Sequence, residues 1–259
     1  MTLVWRPGFQ FDADASTYIE AVEAADTQAL ETGVRYAIND FVIDCKNDGI
    51  WDAIKACCIL AGARTLSGAL VPLVGAAPTP YGFLEGDYDR ETGLVGDGST
   101  KYLDSNRASN SDPQNSRHMS VYVSTKTGAG PFAGSVSAGP VYTWIGPGNS
   151  LSSDIYVLNS TSQVVVARKT TLGFCGLSRT SSTNLFYRIG SSTTAVSSAS
   201  AATDSTTTQV FRLDRSAEGY PTVYGQSRLA FYSIGESLDL ALLDTRVSNL
   251  MTAIGAATP

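Results

Sequence analysis

The sequence is poor in the residues from which most active centres and charged interfaces are built. Charged residues make up 16% of the 259 residues, histidine occurs once, as His118, and the formal net charge is −6. A lone histidine rules out a multi-histidine metal centre, and the chain has neither a Gly-x-Ser-x-Gly elbow nor a P-loop. A negative chain also offers no basic patch for phosphates. We therefore predict no catalytic residue, no metal, no cofactor and no nucleic-acid partner.

Long apolar runs and paired cysteines are missing too. No run reaches about eighteen apolar residues, so we predict no membrane insertion. The first eight residues lack the charged and apolar regions of an export signal. The cysteines Cys45, Cys57, Cys58 and Cys175 have neither zinc-ligand spacing nor the pattern of a disulfide framework. We expect buried, reduced thiols in a chain that folds in a reducing compartment.

Residues 1–65 are predicted to form an extended arm followed by a three-helix docking unit. Asp14 and Asp26 are candidate N-caps of the first two helices, and Gly49 is placed to end the second. The second helix has one apolar face, at steps of 4, 4, 3 and 4, made of Leu30, Val34, Ile38, Phe41 and Cys45. The third helix is expected to place Ile50, Ile54, Cys57, Cys58 and Ala61 on one side.

The apolar residues of this N-terminal region have two possible destinations. A helical stripe can pack inside its own domain or form a seam between subunits, and an apolar arm can dock on its own body or on a neighbour. The sequence leaves both open. The candidate assembly interface consists of Trp5, Phe9, Phe11, Leu30, Val34, Ile38 and Phe41.

Residues 66–259 are predicted to form an antiparallel β-sandwich closed by a C-terminal helix. Short runs of alternating residues, separated by Gly, Pro, Asn and Ser, are typical of such sandwiches. The predicted strands are Ala69–Leu73, Lys101–Ser105, Met119–Ser124, Val141–Ile145, Asp154–Asn159, Val164–Ala167, Thr171–Ser178, Leu185–Ile189, Thr208–Arg212 and Arg228–Ser233. The Ser/Thr-rich stretch 178–208 is expected to form exposed strands and turns. For the final helix, Ser237 is the candidate N-cap, and the buried stripe is Leu243, Val247, Leu250 and Ile254.

Two further groups of residues have chemical alternatives. Glu85, Asp87, Asp89 and Glu91 could be a solvated loop, the carboxylates of a retaining glycosidase or, with Asp97, a calcium site. Gly86 weakens a strand at this place, so we favour the loop. The second group consists of aromatic residues, which could pack in the core or stack on sugars. They are the candidate glycan contacts Tyr142, Trp144, Tyr156, Tyr187 and Tyr220.

Three segments resemble a known family of β-sandwiches. The run from Gly96 to Leu103 (GDGSTKYL), the run from His118 to Val123 (HMSVYV) and the run from Arg228 to Leu238 (RLAFYSIGESL) resemble strands of concanavalin A-like, laminin-G-type jelly rolls. The resemblance spans roughly residues 66–240. It implies a mainly β, antiparallel jelly-roll sandwich, here with an N-terminal helical unit and a C-terminal helix. This architecture hosts lectins, glycosidases and structural modules alike.

The whole arrangement is similar to virion proteins of tailed bacteriophages, notably cyanophages. The segments 49–56 (GIWDAIKA) and 92–107 (TGLVGDGSTKYLDSNR) carry this similarity. It implies a non-enzymatic structural protein of the tail fibre or baseplate, localised to the virion after assembly in the host cytoplasm. Expected partners are further copies of the chain, as a trimer by analogy, other virion proteins and a host-surface glycan. Head decoration or a head fibre, a lectin module and a glycoside hydrolase using Glu85 and Asp89 remain the alternatives.

Overall fold

The fold is seen in a computed structural model that describes residues 10–147, 153–162, 164–167 and 172–259. Its helices are α1 (Ala13–Asp26), α2 (Thr32–Asn47), α3 (Leu66–Ala69) and α4 (Leu240–Ala257). Its strands are β1 (Ile54–Ile59), β2 (Thr79–Tyr81), β3 (Tyr88–Asp89), β4 (Gly93–Val95), β5 (Tyr102–Ala108), β6 (Arg117–Thr125), β7 (Ala133–Ser137), β8 (Val141–Pro147), β9 (Ser153–Ser160), β10 (Val164–Ala167), β11 (Gly173–Arg179), β12 (Asn184–Ile189), β13 (Ser192–Ser197), β14 (Thr207–Val210), β15 (Arg212–Leu213), β16 (Val223–Tyr224) and β17 (Arg228–Gly235). In this part of the chain, no helix is long and apolar enough to cross a membrane.

Most of the strands form two antiparallel sheets. Sheet A has the order β13-β12-β11-β6-β17-β4-β3, and β1 pairs with β17 beside β4. Sheet B has the order β10-β9-β8-β7-β14-β5-β2, and β15 and β16 form a separate two-stranded ribbon. The predicted fold class, a mainly β antiparallel sandwich with helices at both ends, is confirmed.

Two apolar cores hold the layers together. The first lies between the sheets and contains Val121, Leu177 and Tyr232. The second lies on the other face of sheet A, where α1, α2 and α4 pack. There the ring of Phe41 in α2 meets the ring of Phe231 in β17 edge-on, with centroids 5.8 Å apart. The molecule is therefore layered as helices, sheet A and sheet B.

The predicted third helix is wrong, because the region forms a strand. Residues Trp51–Ala53 form one 3₁₀ turn, and Ile54–Ile59 then run antiparallel to β17. Cys58 faces the core between the sheets, whereas Cys57 faces the helices. A strand buried on both faces is apolar at successive positions, so its periodicity cannot be told from that of a buried helix. Of the three helices predicted within residues 1–65, the described residues 10–65 form two.

The helix boundaries also differ in part from the predictions. The N-cap of α1 is Asp12, and that of α4 is Asp239, two residues from the predicted Asp14 and Ser237 respectively. Helix α2 begins at Thr32, after the Glu31 cap, so Asp26 is not its cap. The predicted strand 69–73 is also wrong, since it begins with the last residue of α3 and continues as a turn. The second and fourth helices, the Gly49 turn and the strands in 178–208 are confirmed.

All four cysteines are buried and none forms a disulfide, as the sequence predicts. Burial raises the pKa of the Cys45 thiol to about 12, and it does the same for Cys58. Because the reactive form of a cysteine is the thiolate, these side chains behave as small apolar groups of the cores.

Asp26 joins α1 to the loop that precedes α3. Its carboxylate accepts hydrogen bonds from the backbone amides of Arg64 and Thr65, at 2.7 and 2.9 Å, and from the Thr65 hydroxyl at 2.7 Å. Only 5% of Asp26 is exposed, so these donors could form few hydrogen bonds to water if the carboxylate were removed.

We predict that Asp26→Ala lowers the free energy of unfolding by about 1–3 kcal/mol, the usual cost of stranding buried donors. Urea titration followed by circular dichroism measures it. The exposed Asp52→Ala serves as the control and is expected to stay within about 0.5 kcal/mol of the parent. Equal loss in the two variants would show that the Asp26 bonds contribute nothing specific.

Candidate functional site

The β15–β16 ribbon lies on the outer face of sheet B. Leu213 of the ribbon is fully buried there in a small apolar cluster with Val136, Tyr142, Trp144 and Val157 of the sheet. Contact is close, since a Cβ added to Gly134 would come within 2.6 Å of the Leu213 side chain. The sheet therefore gives the ribbon a fixed base.

The loop between the two short strands is ordered by its own hydrogen bonds. Asp214 accepts bonds from the Ser216 amide at 3.0 Å, the Thr222 hydroxyl at 3.1 Å and the Arg212 guanidinium at 2.7 Å. Burial opposes ionisation of this carboxyl, but these bonds and the Arg212 charge hold its pKa below the usual value. A 3₁₀ turn over Ser216–Glu218 follows and ends at Gly219, whose φ of 76° suits glycine. The loop then presents Tyr220, which is 56% exposed.

Three side chains of this loop meet Tyr142 of β8 and form with it what we call the Arg–Tyr cluster: Tyr142, Arg215, Glu218 and Tyr220. The Tyr142 hydroxyl donates to Glu218 Oε1 at 2.7 Å, and Arg215 Nε donates to Glu218 Oε2 at 3.1 Å. The Arg215 guanidinium lies 4.4 Å from the ring centroid of Tyr220 and 5.8 Å from that of Tyr142. Burial and the bond to Glu218 raise the pKa of Tyr142, so it stays a neutral donor at ordinary pH.

The β7–β8 turn faces the cluster. It consists of Ala138, Gly139 and Pro140, which are exposed, and Gly139 has a φ of 90° that favours glycine. Asp204 holds the turn by accepting a hydrogen bond from the Ala138 amide at 2.8 Å. Burial opposes ionisation of Asp204, but its hydrogen bonds, above all those from Thr206, lower its pKa to about 2.

An open cleft of about 410 Å³ lies between the turn and the ribbon loop. We call it the ribbon cleft, and its lining residues are Ser137, Ala138, Gly139, Pro140, Tyr142, Glu218 and Tyr220. Among these, Glu218 supplies the single carboxylate, and Arg215 beside it balances that charge. The cleft thus offers an aromatic face, a proline and a neutral set of hydrogen-bonding groups. Most glycoside hydrolases use a pair of carboxylates, and Glu218 is the carboxylate among these lining residues.

The structure separates the five candidate glycan contacts. Tyr142 and Tyr220 meet in the ribbon cleft. Trp144 and Tyr156 are 1% and 0% exposed, so their prediction as sugar contacts is wrong. Tyr187 stacks on Tyr156 between the sheets, with ring centroids 5.4 Å apart, and also faces the core. Alternation along a strand does not reveal which sheet face is covered, and this explains the error.

The candidate assembly residues of the predicted second helix, of which Leu30 lies just before α2, are buried within one chain. Leu30, Val34, Ile38 and Phe41 are at most 5% exposed and belong to the core on the helix side of sheet A, so their prediction as an interface is wrong. Phe11 packs edge-on against Tyr36, with ring centroids 5.5 Å apart. Two further members of that predicted interface, Trp5 and Phe9, lie outside the described residues.

The acidic segment 85–91 contains a 3₁₀ turn (Glu85–Asp87), the short strand β3 and the start of the turn after it, and three of its carboxylates are hydrogen-bonded. Glu85 accepts from the Leu66 amide at 3.0 Å, and Asp87 accepts from the Leu84 amide at 2.8 Å. Asp89 accepts from the amide and the hydroxyl of Thr92, which lower its pKa. The two turns agree with the solvated loop that the sequence favours, but Tyr88–Asp89 between them pairs with β4 as a strand. Nowhere in the described ranges do three potential metal-ligating side chains come together.

His118 joins two strands of sheet A. Its Nδ1 lies 2.6 Å from the backbone oxygen of Glu236, to which it donates, and its Nε2 lies 3.0 Å from the Ser233 hydroxyl, from which it accepts. Burial lowers its pKa to about 4. The ring is therefore neutral at ordinary pH and acts as a hydrogen-bonding bridge inside the sandwich.

Sequence reasoning missed Arg215, Glu218 and Pro140. The first two are three positions apart in a polar loop, a spacing common among surface ion pairs. The available signal was Tyr220 in the same loop, between Gly219 and Pro221. Their meeting with Tyr142 depends on the ribbon lying over β8, which local sequence does not specify.

No protein-family model and no curated protein sequence matches the chain. Among solved structures, domain 4 of AbnA, a GH43 extracellular arabinanase from Geobacillus stearothermophilus in complex with arabinotriose, is similar with a TM-score of 0.44 at 7% identity over 67% of this chain and 82% of that one. A mutant Trypanosoma rangeli sialidase displaying trans-sialidase activity gives 0.46 at 9% identity, over 85% of this chain and 39% of that one. Tailspike protein 2 from Escherichia coli O157:H7 bacteriophage CAB120 gives 0.38 at 10%, over 63% and 25%. With these TM-scores all below 0.5, these likenesses assign no activity to the present chain.

We predict that Asp204 stabilises the fold in a pH-dependent way. Its pKa of about 2 is below the ordinary aspartate value of 3.8 that is expected in the unfolded chain. Its stabilisation is therefore complete above about pH 4 and is lost as the pH falls towards 2. The difference in urea midpoint between the parent and Asp204→Asn should be largest near neutral pH and shrink below about pH 4. A difference that is constant with pH would contradict this role.

Proposed function

We propose that the chain is a non-enzymatic glycan-binding β-sandwich protein of a bacteriophage particle, and that the ribbon cleft is its glycan site. The observation that carries the binding role is the Arg–Tyr cluster, in which an exposed tyrosine ring lies beside a carboxylate and a guanidinium at the edge of a cleft. The particle role is supported by the sequence resemblance of segments 49–56 and 92–107.

Tyr220 supplies the stacking surface for a sugar ring. One side of its ring is taken by Arg215, and more than half of the residue remains exposed. A pyranose presents an apolar face of C–H groups that can pack on such a ring, as apolar groups pack on aromatic side chains elsewhere. The guanidinium beneath fixes the ring in place and so lowers the entropy lost on binding.

Glu218 supplies acceptors for the sugar hydroxyls. Each Glu218 oxygen already accepts one hydrogen bond and has room for another, since a carboxylate can accept about four. Because Arg215 balances the charge, we expect a neutral saccharide to be preferred over a strongly anionic one. A cleft of about 410 Å³ accommodates one or two sugar units.

The particle role places constraints on assembly. Since the apolar faces of α1, α2 and α4 are covered inside the chain, attachment to other virion proteins has to use other surfaces. We propose tail fibre or baseplate as the location, because contact with a host surface suits a glycan site, with head decoration as the alternative. We propose no catalytic role.

We predict that Tyr220→Ala abolishes stacking and weakens glycan binding by about tenfold or more, which corresponds to about 1.4 kcal/mol. Binding is measured first on an array of bacterial surface polysaccharides and neutral oligosaccharides, and the best oligosaccharide is then titrated by calorimetry. Tyr220→Phe keeps the ring and is expected to bind within about threefold of the parent. Glu218→Gln should weaken binding because one charged acceptor is lost.

Tyr81→Ala is the matched control, since Tyr81 is also an exposed tyrosine, 44% accessible, but lies on β2 against Tyr102. It is expected to leave binding unchanged. Loss of binding in Tyr81→Ala with retention in Tyr220→Ala would move the site away from the ribbon cleft, and an array without any bound glycan would overturn the binding role. Mass spectrometry of purified particles tests the virion role separately, and absence of the chain from mature particles would overturn it.

A further inference from the structure

Strand β13 is an unusual edge of sheet A. It contains six residues, Ser-Thr-Thr-Ala-Val-Ser, with neither a charge nor a proline. Edge strands are normally shortened, charged, bulged or covered, because their free amides and carbonyls can pair with another strand. Two other edge strands are better protected, since β3 has only two residues and β2 has three with Pro80 in the middle. At the far end of sheet B, β10 adjoins residues outside the described ranges.

The hydrogen bonds of the β12–β13 hairpin show which backbone groups point outward. The Ser198 amide donates to the Thr183 carbonyl at 2.8 Å, so this pair is hydrogen-bonded across the hairpin. Pairs alternate along an antiparallel ladder, and in this register the amides of Thr193, Ala195 and Ser197 point away from β12. These three residues are exposed.

A groove of about 360 Å³ runs beside this edge on the helix side of sheet A. Thr193 of β13, Phe186 of β12 and Leu238 and Leu240 at the start of α4 are among its lining residues. Because side chains alternate along a strand, Ala195 and Ser197 lie on the same face as Thr193. A strand added at this edge would therefore place side chains over the groove as well as completing the ladder.

We infer that β13 is the interface through which two copies of the chain form a two-fold dimer, by antiparallel pairing of β13 with β13. A two-fold axis at Ala195 pairs that residue with itself and pairs Thr193 with the partner's Ser197. All three outward-facing residues of each copy are then satisfied in one register. The absence of charge on the strand removes the repulsion that two identical acidic proteins would otherwise meet there.

This interface differs from the helix faces that the sequence suggests, and it does not depend on glycan binding. The strand pair is short compared with a standard interface, so the dimer is expected to depend on protein concentration. Each copy would extend sheet A into a continuous sheet across the axis. The ribbon cleft lies on sheet B and stays open in both copies.

Light scattering after size-exclusion chromatography at about 100 µM protein tests the inference, since a micromolar Kd gives mostly dimer there. Ala195→Lys and Ala195→Glu each place like charges opposite one another at the axis and should raise the dimer Kd by about tenfold or more. Mixing the two variants should restore the dimer, because opposite charges then meet. Ser191→Lys in the adjoining turn is the control and should remain dimeric.

Hydrogen exchange provides a second measurement on the unmodified protein. The amides of Thr193, Ala195 and Ser197 should exchange slowly at high concentration and quickly on dilution, whereas that of Thr194 should be protected at both. A parent protein that is monomeric or trimeric at about 100 µM would overturn the inference. So would charge variants of Ala195 that dimerise as well as the parent.

Discussion

The burial of β17 on both faces is the constraint on which the rest of the fold depends. Leu229 and Tyr232 of this strand enter the core between the sheets, and Ala230 and Phe231 enter the core beneath the helices. A register shift between β17 and β6 at this point allows two successive residues to face the same side. The strand is paired on one edge with β6 and on the other with β4 and β1. Removing the helices would expose Phe231, so the helices share a core with sheet A and do not form a separate attachment unit.

The ribbon cleft is formed on sheet B by the β7–β8 turn and the loop between β15 and β16. Tyr142 is fixed by its strand, whereas Arg215, Glu218 and Tyr220 come from a loop ordered by Asp214 and Gly219. Binding groups on loops held by a rigid scaffold are a common arrangement in β-sandwiches. In the proposed glycan site, binding would therefore need little rearrangement of the backbone.

Much of the fold could be predicted from local patterns, because alternation marks half-buried strands and steps of three and four mark amphipathic helices. The helix from Val34 to Phe41 is of this kind. The prediction for the region Ile50–Ala61 was wrong because a strand buried on both faces lacks the alternation of apolar and polar residues. Two of the proposed site residues, Tyr142 and Tyr220, could be predicted because they are aromatic. That Trp144 is buried instead depends on which face of sheet B the ribbon covers. The ribbon covers this face through contacts between residues about seventy positions apart, such as Leu213 and Tyr142, and local sequence patterns do not predict such contacts.

The four buried thiols have a consequence for how the protein behaves outside a cell. Each is at most 1% exposed, and the pKa of Cys45 and of Cys58 is raised by burial, so oxidants and alkylating reagents find no thiolate at the surface. A thiol reagent can react only with a molecule whose cores have opened. The rate at which the reagent is incorporated therefore measures how often the cores open. Cys57 faces the helices and Cys58 faces the core between the sheets, so their separate rates distinguish detachment of the helices from separation of the sheets.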